Sequence, residues 1–267
     1  MSGFSISWLD LRESADHAAR DKTLTHAALR FLDKPHGALL VDLGAGTGST
    51  LRALSALAPV QRAYIVWRLV DHDGALLDEA LRRHGNECVI EDHQNDLRHV
   101  AELPLGGATL VSASALFDLA SRDFVDTLLA RLHKQGTGLY AALNYDGRTE
   151  WTPAHPLDDA VLQAFNKDQR TGKGLGEGAA LGPDATGYLQ RQCTALDYAV
   201  HIEDSPWVLG PDDAALVREL IAGIARAVAV GYDLDAEALL HWKTFRLANA
   251  ATGTCVVGHQ DLLAVPV

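Results

Sequence analysis

Asp42, Gly44, Gly46, Gly48 and Asp71 are the residues of this chain whose types and spacing promise chemistry. The three glycines stand at alternate positions, directly after the apolar run Ala38-Leu39-Leu40-Val41. Glycine accepts backbone angles that side chains resist, so a sharp turn is possible there. Bare backbone also lets a ligand lie close, facing the N-terminus of a following helix. Asp71 stands 23 residues past Gly48, at the end of a second β-rich run. An acid at that place is suited to accept hydrogen bonds from ribose hydroxyls. The set points to an adenosine-type ligand, with Ala45 inside the turn and His72 beside Asp71 as further neighbours.

Strands and helices in alternation must position these residues. Residues 38–43 read as a short buried strand. The apolar pattern resumes at Leu51, Leu54 and Leu57 as a helix that Pro59 breaks. A second strand covers 63–70, and Asp73 caps a helix over 75–84. A third strand at 87–90 leads into a polar loop at 92–96 and a helix at 97–103. A fourth strand with its exit covers 107–114. Phe124, Leu128 and Leu132 at helical spacing mark a helix over 121–134, and 139–143 is the fifth strand. Upstream, Ser14 caps a helix with Asp16 in its first turn. The stripe Leu24, Ala27, Ala28, Phe31, Leu32 follows, and Pro35 and Gly37 end it. This order implies an α/β fold with a doubly wound, mainly parallel sheet. Ligands on such sheets bind outside the strand C-termini, so Gly44 to Gly48, Asp71, Asp96, Ser112 and Asn144 should face one crevice.

Composition narrows the class. A length of 267 residues suits a single domain with elaborations. A net charge of −12 disfavours a general nucleic-acid binder and favours a small-molecule partner. No run of about 18 uncharged apolar residues exists to span a membrane. The N-terminal ten residues have no basic start and no long apolar run, so a cytoplasmic protein is expected. Cys88, Cys193 and Cys255 have no metal-ligand spacing and imply no disulfide framework, and no metal is expected.

The pattern acid-x-Gly-x-Gly-x-Gly over Asp42 to Gly48 departs from the dinucleotide fingerprint, because the sixth position is Ser49 and not glycine. It resembles the first motif of class I S-adenosylmethionine-dependent methyltransferases. The resemblance covers about residues 16–144. It implies that Asp42 helps hold the cofactor's amino group and that the glycine loop runs beside its methionine part. It implies that Asp96 contacts the adenine amino group, with Leu97 packed on the ring. An N-terminal helix would close over the site, where Arg12 or Arg20 could meet the cofactor's carboxylate. The alternative for both arginines is a solvated surface. Family members often carry an acid near the start of the fourth strand, where this chain has Thr109. The fourth strand's exit, with Ser112, lacks the Asn/Asp-Pro-Pro-Tyr/Phe sequence and the Pro-Cys nucleophile of two nucleic-acid-modifying groups.

The remainder is read from pattern alone. Residues 1–35 are a helical lead-in, 36–145 a cofactor-binding core, 146–195 a substrate cap or lid, and 196–267 C-terminal strands with inserted helices. A helix at 158–170 and the glycine-dense loop 171–178 fall in the cap, and that loop is a lid or a plain connection. Strands at 198–202 and 254–264 fit the family's seven-stranded sheet with an antiparallel last strand. Helices at 212–230 and 235–247 exceed the minimal fold and could form a dimer surface. Asn144, Tyr145, Trp151, His155, Asn166 and Arg170 are candidates for substrate contact, and His155 is the candidate base. In this order His133, His201 and His259 lie further from the strand exits. The expected function is methyl transfer from S-adenosylmethionine to a small molecule, with S-adenosylhomocysteine as product, by alignment more than by acid–base chemistry. A non-catalytic S-adenosylmethionine-binding protein and an NAD-dependent oxidoreductase are the alternatives.

Overall fold

The computed structural model describes residues 4–57 and 64–267. Pro59 and Ala63, the expected helix breaker and strand start, lie outside the described residues. Five strands come first: β1 (Ala38–Leu43), β2 (Ile65–Asp71), β3 (Val89–Gln94), β4 (Leu110–Ser114) and β5 (Gly138–Thr152). Then come β6 (Tyr198–Asp204), β7 (Trp207–Leu209) and β8 (Thr254–Pro266). They form one sheet in the order β3-β2-β1-β4-β5-β8-β6, with β7 paired to β8. The first five strands run parallel, and β8 runs antiparallel to both β5 and β6. This is the expected doubly wound sheet with an antiparallel strand, plus the unanticipated short β7.

Alternating side chains of β1 serve both faces, as the strand period requires. Val41 and Leu43 join a core with α5 (Arg122–Gln135) and α7 (Ala185–Ala195). Ala38 and Leu40 join a second core with α2 (Lys22–Leu32), α3 (Ser49–Leu57) and α4 (Gly74–His84). A third core lies beyond the main sheet. There α6 (Asp158–Gln169), α8 (Ala214–Ala227) and α9 (Ala236–Asn249) pack on β7 and the outer halves of β5 and β8. Residues of α1 (Ile6–Ala19) join this third core.

Several boundaries differ from the sequence expectation, each for a tertiary reason. The N-terminal segment is two helices, with Ser5 capping α1 and Asp21 capping α2. Ser14 lies inside α1, and Asp16 is in its last turn, where Arg12 and Trp207 donate to it. Strand β3 continues to Gln94 because it pairs with β2 up to Asp71. The helix expected at 97–103 is only a 3-10 turn at Val100–Glu102. The largest difference is β5, which does not end at Leu143 but runs on to Thr152. At the break Leu143 adopts φ 55° and its N–H donates to Asp261 Oδ1 at 2.8 Å. After that bulge the ladder with β8 resumes, so the aromatic stretch around Trp151 is strand. Helix α7, inside the stretch expected to be a cap, instead packs on the main sheet.

Candidate functional site

The sheet order reverses between β1 and β4, and a cavity of about 390 Å³ opens where those two strands end. That is the size and place of a small-molecule site on a doubly wound sheet. The glycine turn is its floor. Gly44 and Ala45 both donate their N–H to the Val70 carbonyl, at 2.8 and 3.1 Å, which folds the chain across the end of β2. Gly46 N–H donates to Asp71 Oδ2 at 2.9 Å. All three glycines have positive φ, of 68°, 53° and 82°. A Cβ on Gly46 would stand 3.0 Å from Leu9 Cδ1, so glycine there meets both a strained angle and a close approach.

Asp71 is buried yet borders the cavity. Its Oδ1 accepts from Asp73 N–H at 3.0 Å and lies 3.1 Å from His72 Nδ1. Each carboxylate oxygen can accept a second bond, so Asp71 can fix the turn and still meet a ligand hydroxyl. Leu97 and Asp96, in the loop after β3, also reach the cavity. Arg98 grips Asp96 and holds its carboxyl down at about 2.

A buried polar layer stands behind these walls. Ser112 donates to Asp42 Oδ1 at 2.5 Å, and Asp42 Oδ2 has no partner among the described residues. Burial pushes the Asp42 carboxyl up to about 6, against the opposing pull of Ser112 and Arg20. Arg20 caps the C-terminus of α1 and is only 5% exposed. Its Nη2 donates to Ser114 at 2.8 Å and Thr50 at 3.3 Å, both of which line the cavity. Its Nε and Nη1 have no hydrogen-bond partner among the described residues. Tyr140 lies under the guanidinium at 5.9 Å and donates to buried Asp261 at 3.1 Å.

The structure thus brings Gly44, Ala45, Gly46, Asp71, His72, Asp96 and Leu97 to one cavity, with Arg20, Asp42 and Ser112 behind it. Gly48 turns the chain into α3 and faces α4 instead. The six residues considered for substrate contact do not line this cavity. Asn144 is fully buried and donates to the Ala141 and Gln260 carbonyls. Tyr145 donates to Asn166 at 2.9 Å. Trp151 packs edge-on to Trp242, and Arg246 lies 5.0 Å over its ring. His155 Nδ1 accepts from Leu157 N–H, and its ring lies 5.0 Å from Phe245 of α9. Arg170 pairs with Asp184. The long β5 carries this region away from the crevice.

The resemblance implied an N-terminal helix over the site with Arg12 near it; Leu9 and Asp16 are additions to that roof. Leu9, Arg12 and Asp16 share one face of α1 and look onto the cavity. Their spacing is helical, but their mixed polarity makes no apolar stripe. Ala115, with φ 50°, and Leu116 enter from the exit of β4. Gly174 and Leu175 enter from the glycine-dense loop, which is tied down where Ser121 N–H donates to the Leu175 carbonyl at 2.9 Å. His259 is linked to this wall through Trp207. Its ring is 5.2 Å from Trp207, which donates to Asp16.

The strand order, the antiparallel β8 between β5 and β6, and the glycine turn after β1 are those of a Rossmann-like methyltransferase fold. Among solved structures, the chain is similar to the cyclopropane synthase MmaA2 from Mycobacterium tuberculosis, at 14% identity and TM-score 0.52, over 98% of this chain and 94% of that one. It is similar to YjhP from E. coli at 15% identity and TM-score 0.50, over 97% and 98% of the two chains. It is also similar to YcgJ from Bacillus subtilis at 13% identity and TM-score 0.50, over 92% and 100%. At these identities the likeness is one of fold. No protein-family model and no curated protein sequence matches the chain.

Proposed function

We propose that the protein transfers a methyl group from S-adenosylmethionine to a small-molecule acceptor. The observation that carries this is Arg20, a buried guanidinium with two unpartnered N–H donors behind the cavity-lining Ser114 and Thr50. Buried N–H donors without an acceptor are costly, and an amino-acid carboxylate could accept from them. The other donors and acceptors suit the same ligand. Asp71 offers lone pairs to ribose hydroxyls, Asp42 Oδ2 offers one to an ammonium group, and Leu97 offers an apolar face to adenine.

When bound, that cofactor supplies a methyl group already activated on a sulfonium. The chain's part is to seat the cofactor, align an acceptor against the methyl carbon and keep water out. Leu9 and the rest of the α1 face do the last by covering the glycine turn. Calorimetry with S-adenosylmethionine, S-adenosylhomocysteine and NAD in parallel tests the reading. Binding of the two adenosyl-sulfur ligands, weakened by Arg20→Met, is the expected result. Binding of NAD alone would overturn it.

A further inference from the structure

The cofactor proposed above uses the glycine turn, Asp71, Leu97, and Ser114 and Thr50 in front of Arg20. Five other residues of the cavity wall have no part in seating it. They are Arg12 and Asp16 of α1, Leu119 in the turn Phe117–Leu119, and Gly174 and Leu175 of the glycine-dense loop. These residues lie together. Ser121 N–H donates to the Leu175 carbonyl, and a short parallel bridge joins Leu175 to Ala120, the neighbour of Leu119. The charge of Arg12 reaches the same turn, where it opposes the burial that raises the Asp118 carboxyl. The cavity thus has a second end, apolar at Leu119 and Leu175 and polar at Arg12 and Asp16.

The polar pair has more to donate than to accept. Arg12 Nε and Nη2 donate to Asp16 Oδ2 and Oδ1 at 2.8 and 3.0 Å. Asp16 Oδ1 accepts from Trp207 Nε1 as well, at 3.0 Å. Arg12 Nη1 has no hydrogen-bond partner among the described residues. A guanidinium is all donor, so Arg12 keeps free N–H groups while Asp16 has little left to accept with. The Arg12 side chain is half-buried and borders the cavity. Its guanidinium also lies 5.0 Å over the Trp207 ring and 6.0 Å over Trp8. Held by Asp16 and two indoles, it is already oriented, and a ligand that meets it orders little more.

We infer that the methyl acceptor is a small, largely apolar carboxylate, whose oxygens take the free N–H groups of Arg12 while its apolar part lies on Leu119 and Leu175. The inference rests on the methyl transfer proposed above and adds the class of acceptor to it. The cofactor's own carboxylate goes to Arg20 in that reading, which leaves Arg12 for a second anion. A carboxylate suits Arg12 better than a neutral carbonyl or alcohol does. Its hydrogen bonds are charge-assisted, and its two oxygens match the planar edge of a guanidinium. The cavity of about 390 Å³ has to take the cofactor as well, so the acceptor is a single ring or a short chain.

Calorimetry at pH 8 tests this in two stages. It compares the wild type with Arg12→Gln, and with Arg12→Gln joined to Asp16→Asn so that Asp16 is not left charged alone. In the first stage S-adenosylhomocysteine is titrated into each protein. All three should bind it within about threefold of one another, as independent sites do. No binding by the wild type would sink the cofactor reading itself. Loss of that affinity in both variants, with unchanged circular dichroism, would give Arg12 to the cofactor and overturn the inference. In the second stage each protein, saturated with S-adenosylhomocysteine, is titrated with benzoate and hexanoate, and with benzyl alcohol and hexanol as their neutral partners. The wild type should bind at least one carboxylate about tenfold tighter or more than its alcohol, the scale of a charged hydrogen bond. Both variants should lose that preference. Acetate, which lacks the apolar part, should bind more weakly than hexanoate. The comparisons within the wild type stand even where a variant fails to fold. A wild type that holds S-adenosylhomocysteine but takes up none of the four, or carboxylate and alcohol equally, would overturn the inference. So would acetate bound as tightly as hexanoate, or a carboxylate preference that survives in the folded variants.

Discussion

Two residues set the floor of the cavity, and each can be removed separately. Gly46 has φ 53°, and a side chain there would press on Leu9. A β-branched residue in that region is strained by roughly 1–2 kcal/mol before any ligand arrives. Gly46→Val should therefore abolish detectable S-adenosylhomocysteine binding in calorimetry while leaving the far-ultraviolet circular dichroism unchanged. Full affinity in that variant would place the ligand elsewhere. Asp71 acts differently, because it holds the turn through Gly46 N–H and keeps lone pairs free. Asp71→Ala should weaken binding by about 1.5–3 kcal/mol, the scale of a hydrogen bond to a charged group. If the protein instead melts early and its folded fraction binds normally, Asp71 serves the turn alone.

At the scale of elements, α1 is fastened over the cavity by charged contacts to α3 and α4. Arg52 of α3 pairs with Glu13 of α1, donates to the Thr47 carbonyl at 2.6 Å and meets His84 of α4 at 2.9 Å. His17 of α1 lies 3.0 Å from Ser49 Oγ. Arg52→Ala should raise amide exchange across residues 6–19 and lower cofactor affinity about tenfold, the loss of one charged hydrogen bond. Unchanged exchange there would show that packing alone holds the helix. The same element marks where the sequence stops being legible. The turn from Asp42 to Gly48, the acid at Asp71 and the cap at Asp73 are local signals, and the fold displays them as spaced. Asp16 is not local, since its burial depends on Trp207 far along the chain. Nor is the length of β5. Leu143 to Thr152 is strand only because Asp261 and the arm of β8 lie alongside it. That pairing moves Asn144, Tyr145 and His155 away from the crevice, which no pattern around them announces.

For the whole molecule, buried titratable groups pull stability in opposite directions across mildly acid pH. Burial holds the His259 imidazole down at about 4, with Arg12 adding to the effect. Its folded form stays neutral while the unfolded chain takes up a proton below about 6.5. Its contribution is therefore present above pH 6.5 and is lost as pH falls towards 4. Asp42 has the reverse sign. Its folded carboxyl, raised to about 6, holds a proton that the unfolded chain loses near 4. That contribution is present below pH 4 and is lost as pH rises through 6. Asp118 shares the Asp42 sign. Between pH 4 and 6.5 the two carboxyls outweigh the one imidazole, so the wild-type urea midpoint should fall as pH rises, less steeply than that of His259→Gln. His259→Gln should leave the carboxyls unopposed, so its midpoint should fall as pH rises from 4.5 to 6.5. Asp42→Asn should leave one carboxyl against the imidazole and flatten the profile. Midpoints taken at several pH values across this window decide it. If His259→Gln keeps the wild-type profile, the imidazole does not exchange its proton between folded and unfolded chains.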